Sequence, residues 1–74
     1  MITARTNKGT VQVDQSGVAR ISTMEIGKIA YVHGLGRYVA RGANGKSKEF
    51  PQGDQGTEEA VQRRAARWLA EHGW

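Results

Sequence analysis

Residues 37–73 read RYVARGANGKSKEFPQGDQGTEEAVQRRAARWLAEHG, and this stretch decides the fold. Alternating apolar and polar residues at 37–42 and 46–50 predict two strands. Ala43-Asn44-Gly45 between them suits a three-residue hairpin loop that ends on a left-handed glycine. Pro51 ends the second strand because it has no backbone N–H for a sheet ladder. The stretch therefore predicts a hairpin followed by one helix.

The helix is predicted to begin near Thr57, a suitable N-cap residue. Glu58 and Glu59 place negative charge in its first turn, where the helix dipole favours it, and Gly73 supplies a stop. Helical spacing gathers one apolar stripe: Val61, Ala65, Trp68, Leu69 and His72. The other positions carry Arg63, Arg64, Arg67, Ala70 and Glu71. We expect the stripe to pack on a sheet face that carries Tyr31, Tyr38 and Phe50.

Upstream, glycines recur every nine or ten residues, at Gly17, Gly27, Gly36 and Gly45. Three-residue turns at 15–17 and 25–27, and a two-residue turn at Gly34-Leu35, would join short strands. The predicted fold class is α+β: an antiparallel β-meander of four to five strands with one C-terminal helix packed on one sheet face. Residues 1–9 are expected to be a flexible arm or a frayed strand, and residues 10–74 a single domain.

Counting outward from these turns fixes a register. It pairs Val13 with Ala19, Val11 with Ile21, Ile21 with Tyr31, Thr23 with Ile29, Tyr31 with Tyr38, Ile29 with Ala40, and Tyr38 with Phe50. Because side chains alternate along a strand, the opposite face must carry Gln12, Arg20, Ser22, Lys28, Ala30, Val32, Arg37, Val39, Arg41, Ser47 and Glu49. A single helix covers a single face, so we expect this second face to be exposed.

Composition narrows the class of protein. The 74 residues suffice for one small domain, and no cysteine is present to support it, which favours a cytoplasmic protein. There is no apolar run of membrane-spanning length and no signal-peptide core. The net charge is +4, with eight Lys or Arg against two acidic residues before position 49 and an acidic excess after it. An anionic partner of the strand half is therefore expected.

Catalysis has little support in the sequence. Neither His33 nor His72 lies in a motif with a nucleophile, and two histidines do not make a metal site. Gly34-Leu35-Gly36 lacks the third glycine of a dinucleotide-binding loop and leads into a strand. We expect a non-enzymatic protein with no cofactor, no metal and no small-molecule substrate. His33 is interpreted as an exposed loop residue, and His72 and Trp68 as packing residues.

The exposed sheet face is the candidate binding site, because it mixes cations with valines. Its proposed contact residues are Arg20, Lys28, Val32, Arg37, Val39, Arg41 and Lys46. Arginine suits bidentate contacts to phosphate and guanine, and a narrow β-surface can enter the major groove. Duplex DNA is the favoured partner. A protein partner and a merely solvated face stay open as alternatives.

A family resemblance supports duplex DNA as the binding partner. Residues 37–50, then Glu58-Glu59-Ala60 and residues 66–71, resemble the AP2-like, amino-terminal arm-binding domain of phage and transposon integrases over residues 37–72. The resemblance implies a sheet that enters the major groove and a helix that braces its back. It implies groove-facing Arg37, Val39 and Arg41, and a core of Tyr38, Phe50 and Trp68. The rival interpretation is a small phage-type inhibitor, similar to anti-CRISPR proteins, that docks on a host protein complex.

Overall fold

A computed structural model describes residues 2–34, 36–51 and 57–73. Six strands precede one helix: β1 (Ile2–Thr6), β2 (Gly9–Val13), β3 (Val18–Ile21), β4 (Met24–Val32), β5 (Arg37–Gly42), β6 (Ser47–Pro51) and α1 (Glu58–His72). Each strand pairs antiparallel with the next along the chain, so the sheet is a six-stranded meander. This confirms the predicted α+β class, with six strands in place of four or five. The extra strand is β1, whose five residues all pair with β2.

The hairpin registers on both sides of β5 are those predicted. Tyr31 pairs with Tyr38, Ile29 with Ala40, and Tyr38 with Phe50. The β2–β3 register is also confirmed, with Gly17 left-handed at φ 89° in the turn. One turn differs in detail: the β4–β5 connection has its positive φ at Gly36 and not at Gly34. Leu35, the other residue of the predicted two-residue turn, lies outside the described residues.

The predicted pairing of β3 with β4 is wrong. The turn lies at Ser22-Thr23 and not at residues 25–27, so Ile21 pairs with Met24 instead of Tyr31. Ser22 takes the positive φ, 58°, that was assigned to a glycine. A bulge then follows, because Ala19 pairs with Gly27 while Arg20 pairs with Glu25. The extra residue is Ile26, which is 1% exposed and belongs to the core.

Helix α1 begins as predicted. The Thr57 hydroxyl accepts a hydrogen bond from the Ala60 N–H at 3.2 Å, and Glu59 pairs with Arg63 four residues on at 3.4 Å. Its buried side is wider and more alanine-rich than the predicted stripe, and consists of Val61, Ala65, Ala66, Leu69 and Ala70. Placing Ala70 on the polar side was therefore wrong. Trp68 lies at the margin of the core, edge-on to the Phe50 ring at 6.4 Å between centroids.

Small side chains on α1 allow the sheet to curl around it. A flat sheet of six strands would be about 24 Å wide, at about 4.8 Å between neighbours, yet α1 contacts all six strands. The edge strand β1 is tied to the helix by a hydrogen bond from Arg63 Nε to the Thr3 carbonyl at 3.3 Å. The core therefore lies inside a curved sheet, and the opposite face is convex.

Three glycines join the sheet to the end of the helix. A Cβ on Gly27 would lie 2.4 Å from the Arg41 carbonyl oxygen, and a Cβ on Gly42 would lie 2.4 Å from the Gly73 Cα. The backbones of β4, β5 and the helix end thus meet without intervening side chains. Gly27, expected to form a turn, is needed for this close approach.

Candidate nucleic-acid interface

The seven predicted contact residues differ in exposure and in position: three are exposed on strands, three are half-buried on strands, and one is exposed in a turn. Arg20, Lys28 and Arg41 are exposed on the convex face, as alternation requires. Three residues of the same face are half-buried: Val32, Arg37 and Val39. Lys46 is exposed in the β5–β6 turn, just before β6, and so lies at the end of the face. Six of the seven predicted residues therefore share the convex face, Lys46 lies beside the turn at its end, and their charges are not equivalent.

Among the described residues, five strand cations lie on the convex face, and two of them are held by carboxylates; the five are Arg5, Arg20, Lys28, Arg37 and Arg41. Arg20 Nη1 donates to Asp14 Oδ2 at 3.0 Å, and Arg37 Nη1 donates to Glu49 Oε1 across the β5–β6 pair. Hydrogen bonds from the Ser16 hydroxyl, then from the Val18 N–H and from Arg20, lower the pKa of Asp14 from 3.8 to about 2. Asp14 is therefore ionised at neutral pH and stays paired with Arg20. Both arginines are less available to an external anion than their sequence positions indicate.

Lys28 and Arg41 have the opposite arrangement. They face each other directly across the β4–β5 pair, where like charges are destabilising. Among the residues that the structure describes, neither has a carboxylate within salt-bridge distance. Together they line a shallow cleft of about 180 Å³ that also includes Glu25 and Ala43. This pair therefore places two positive charges side by side on the convex face without a neutralising carboxylate in the described part of the chain.

A second cleft of about 380 Å³ lies on the other side of the β5–β6 turn. It is lined by Lys8, Lys46, Asn44, Ala70, Glu71 and His72. Lys8 comes from the β1–β2 turn, at the far edge of the sheet in strand order. It was absent from the predicted site, because only the curl of the sheet brings this turn beside Lys46.

A third cleft, of about 420 Å³, lies at the opposite end of the sheet, against the first half of α1. Part of its polar lining is engaged internally, because Asp14 accepts hydrogen bonds from Ser16 and Val18. Burial raises the pKa of Tyr38, and the negative charge of Glu58 adds to this effect. We therefore assign this cleft to the packing of the hairpin turn against the helix.

The two histidines take part in ring contacts. His33 is exposed in the turn, as predicted, and its ring meets Tyr31 edge-on at 4.9 Å between centroids. His72 is exposed too, but it stacks on Trp68 at 5.5 Å with an interplanar angle of 24°. His72 therefore packs against Trp68 with one face of its ring, while the rest of the side chain is exposed. Lys48 behaves similarly, with its Nζ 5.5 Å from the Phe50 centroid at the edge of the sheet.

Comparison with known protein families, characterised proteins and solved structures finds no match to this chain. Within residues 2–34, 36–51 and 57–73, no helix has both the length and the apolar character to cross a bilayer. Geometry and charge therefore have to support any functional conclusion.

Proposed function

We propose that this protein is a small, non-enzymatic nucleic-acid-binding module that contacts duplex DNA through its convex sheet face. Cytoplasmic location is part of the same proposal. The observation that carries it is the cross-strand pair of Lys28 and Arg41. Two exposed like charges opposite each other cost the fold about 0.2–1 kcal/mol. A phosphate between them would turn that repulsion into two charge-assisted contacts.

The surroundings of this pair support an extended polyanion as the ligand. Val39 is half-buried two residues from Arg41, Val32 is half-buried further along the same face opposite Arg37, and both offer apolar contact to sugar or base edges. The chain carries 11 Lys or Arg against seven Asp or Glu, so its long-range field also attracts polyanions. The resemblance to integrase arm-binding domains remains part of this proposal and points to the same face.

The test is a salt titration of binding to a random-sequence DNA duplex. For each phosphate contact, the slope of log affinity against log salt has a magnitude of about 0.9. Lys28→Gln and Arg41→Gln should each reduce the slope by about that amount. Arg67→Gln removes the same charge from an exposed position on the helix, and should leave the slope almost unchanged.

Stability provides a second readout on the same variants. Removing either member of the like-charged pair should raise the free energy of unfolding by about 0.2–1 kcal/mol while it weakens binding. Loss of affinity together with loss of stability would point instead to a structural role for the pair. Wild-type protein without salt-sensitive DNA binding would reject the proposal and favour docking on an acidic protein surface.

A further inference from the structure

Four cations lie on the two sides of one turn. Lys28 and Arg41 line the cleft in front of the β5–β6 turn, and Lys8 and Lys46 line the cleft behind it. Ala43 contributes to the first cleft and Asn44 to the second, so the turn is the wall between them. Each cleft also contains one carboxylate, Glu25 or Glu71. Among the described residues neither carboxylate pairs with a cation, and the positive charge is in excess.

The wall between the two clefts is held in place by backbone contacts. The Ala43 N–H donates to the Ile26 carbonyl at 3.0 Å, and the Asn44 N–H donates to the Gly73 carbonyl at 3.0 Å. The Asn44 side chain adds a hydrogen bond to the His72 carbonyl at 2.8 Å. The turn is therefore fixed to both the sheet and the helix end. The backbone that carries Lys46 is thus fixed before binding, which lowers the entropic cost of ordering the turn.

Two other arginines of the convex face are less suited to phosphate. Arg37 lies at the far end of the face from the turn and pairs with Glu49, and Arg20 lies level with Glu25 but pairs with Asp14. The face is also convex, because the sheet curls around α1. The major groove admits a surface about as wide as a two-stranded ribbon, so a six-stranded convex sheet can present only a ridge or an end to it.

We propose that the DNA backbone crosses the β5–β6 turn, with phosphates in both clefts, so that the turn end of the sheet forms the interface. This deepens the function proposed above and rests on it. It differs from the face-on mode that the family resemblance implies, because Arg37 is no longer a contact. Relative to the contact residues predicted from the sequence, it adds Lys8, keeps Lys46 and removes Arg20 and Arg37.

Two charge-matched double variants test this placement, in salt titrations with a random 20-base-pair duplex. Lys8→Gln with Lys46→Gln should reduce the slope of log affinity against log salt by about 1.8, equivalent to roughly a 60-fold loss at 0.1 M salt. Arg20→Gln with Arg37→Gln lowers the net charge equally and should change affinity less than about threefold. Lys8→Arg with Lys46→Arg keeps both charges and should retain the wild-type slope. Thermal unfolding confirms that each variant is folded.

The outcomes separate the inference from the function on which it rests. Equal losses in the two Gln doubles would show that total charge, and not the turn end, sets the affinity, and would overturn the placement. Unchanged binding by the lysine double, with weakened binding by Lys28→Gln and Arg41→Gln, would also overturn it and leave the proposed function standing. A wild-type protein that does not bind the duplex would reject both.

Discussion

Single residues on the convex face differ most in how their charge is satisfied. Asp14 Oδ1 accepts from the Ser16 N–H, the Ser16 hydroxyl and the Val18 N–H, at 2.7 to 3.0 Å, and Oδ2 accepts from Arg20. One carboxylate thus shapes the β2–β3 turn and neutralises a nearby arginine. Lys28 and Arg41 have no comparable partner among the described residues. Residues of the same type on the same face therefore serve different purposes.

Asp14→Asn should lower stability in a pH-dependent way. Because the pKa of Asp14 is about 2 in the folded protein and 3.8 when unperturbed, its carboxylate stabilises the fold fully above the higher value. That contribution is lost as the pH falls from about 4 towards 2. The difference in melting temperature between wild type and variant should be constant from about pH 5 to 7 and shrink below pH 4. A difference that ignores pH would contradict this role of the carboxylate.

Among the elements, β4 shows what sequence patterns can and cannot specify. Its pairing with β5 was predictable, because the hairpin turn that joins the two strands sets the register. That register matches Tyr31 with Tyr38 and Ile29 with Ala40. Its pairing with β3 was not. Gly27 has the composition of a turn residue, but its actual role depends on the Arg41 carbonyl and Leu69, which are distant in sequence. A bulge that shifts the alternation by one residue leaves no local signal.

The observed β3–β4 register predicts that Ile26 is essential for stability, whereas a turn at residues 25–27 would leave it dispensable. Ile26→Ala should cost about 2–5 kcal/mol, because it leaves a cavity at a fully buried position, 1% exposed here. Met24→Ala is the matched control, since Met24 is 45% exposed at the start of the same strand and should cost only about 0.5 kcal/mol. Urea unfolding of both variants provides the measurement. Similar, small costs for the two would favour Ile26 in a turn.

At the scale of the whole molecule, the curl of the sheet decides both the core and the candidate site. Outside the bulge at Ile26, alternation predicted which side the strand residues face, and it places Arg20, Lys28 and Arg41 on the exposed side. The like-charged pair was implicit in the register that joins Ile29 to Ala40. The proximity of Lys8 and Lys46 was not, because β1 and β6 are the two edges of the sheet and only the curl relates their ends.

Contact between α1 and every strand should make unfolding a single cooperative event. Small domains commonly unfold in two states, and here no strand can lose the helix without exposing part of the common core. In a urea titration followed by amide NMR, signals from the edge strand β1 and from α1 should lose intensity at the same midpoint. A lower midpoint for β1 would show that the edge separates before the rest, and would limit the tie between Arg63 and Thr3 to a local contact.

The place where Gly42 meets Gly73 has an evolutionary consequence. An added methyl group at either glycine would meet backbone atoms that cannot move aside, so we expect almost no substitution to be tolerated at these two positions. The exposed side chains of the adjacent turn are under no such restriction, and Lys46 can be exchanged without moving the backbone that carries it. Natural selection can therefore change the binding preference of this surface through single substitutions of exposed turn residues, while the glycine-dependent backbone contact is kept.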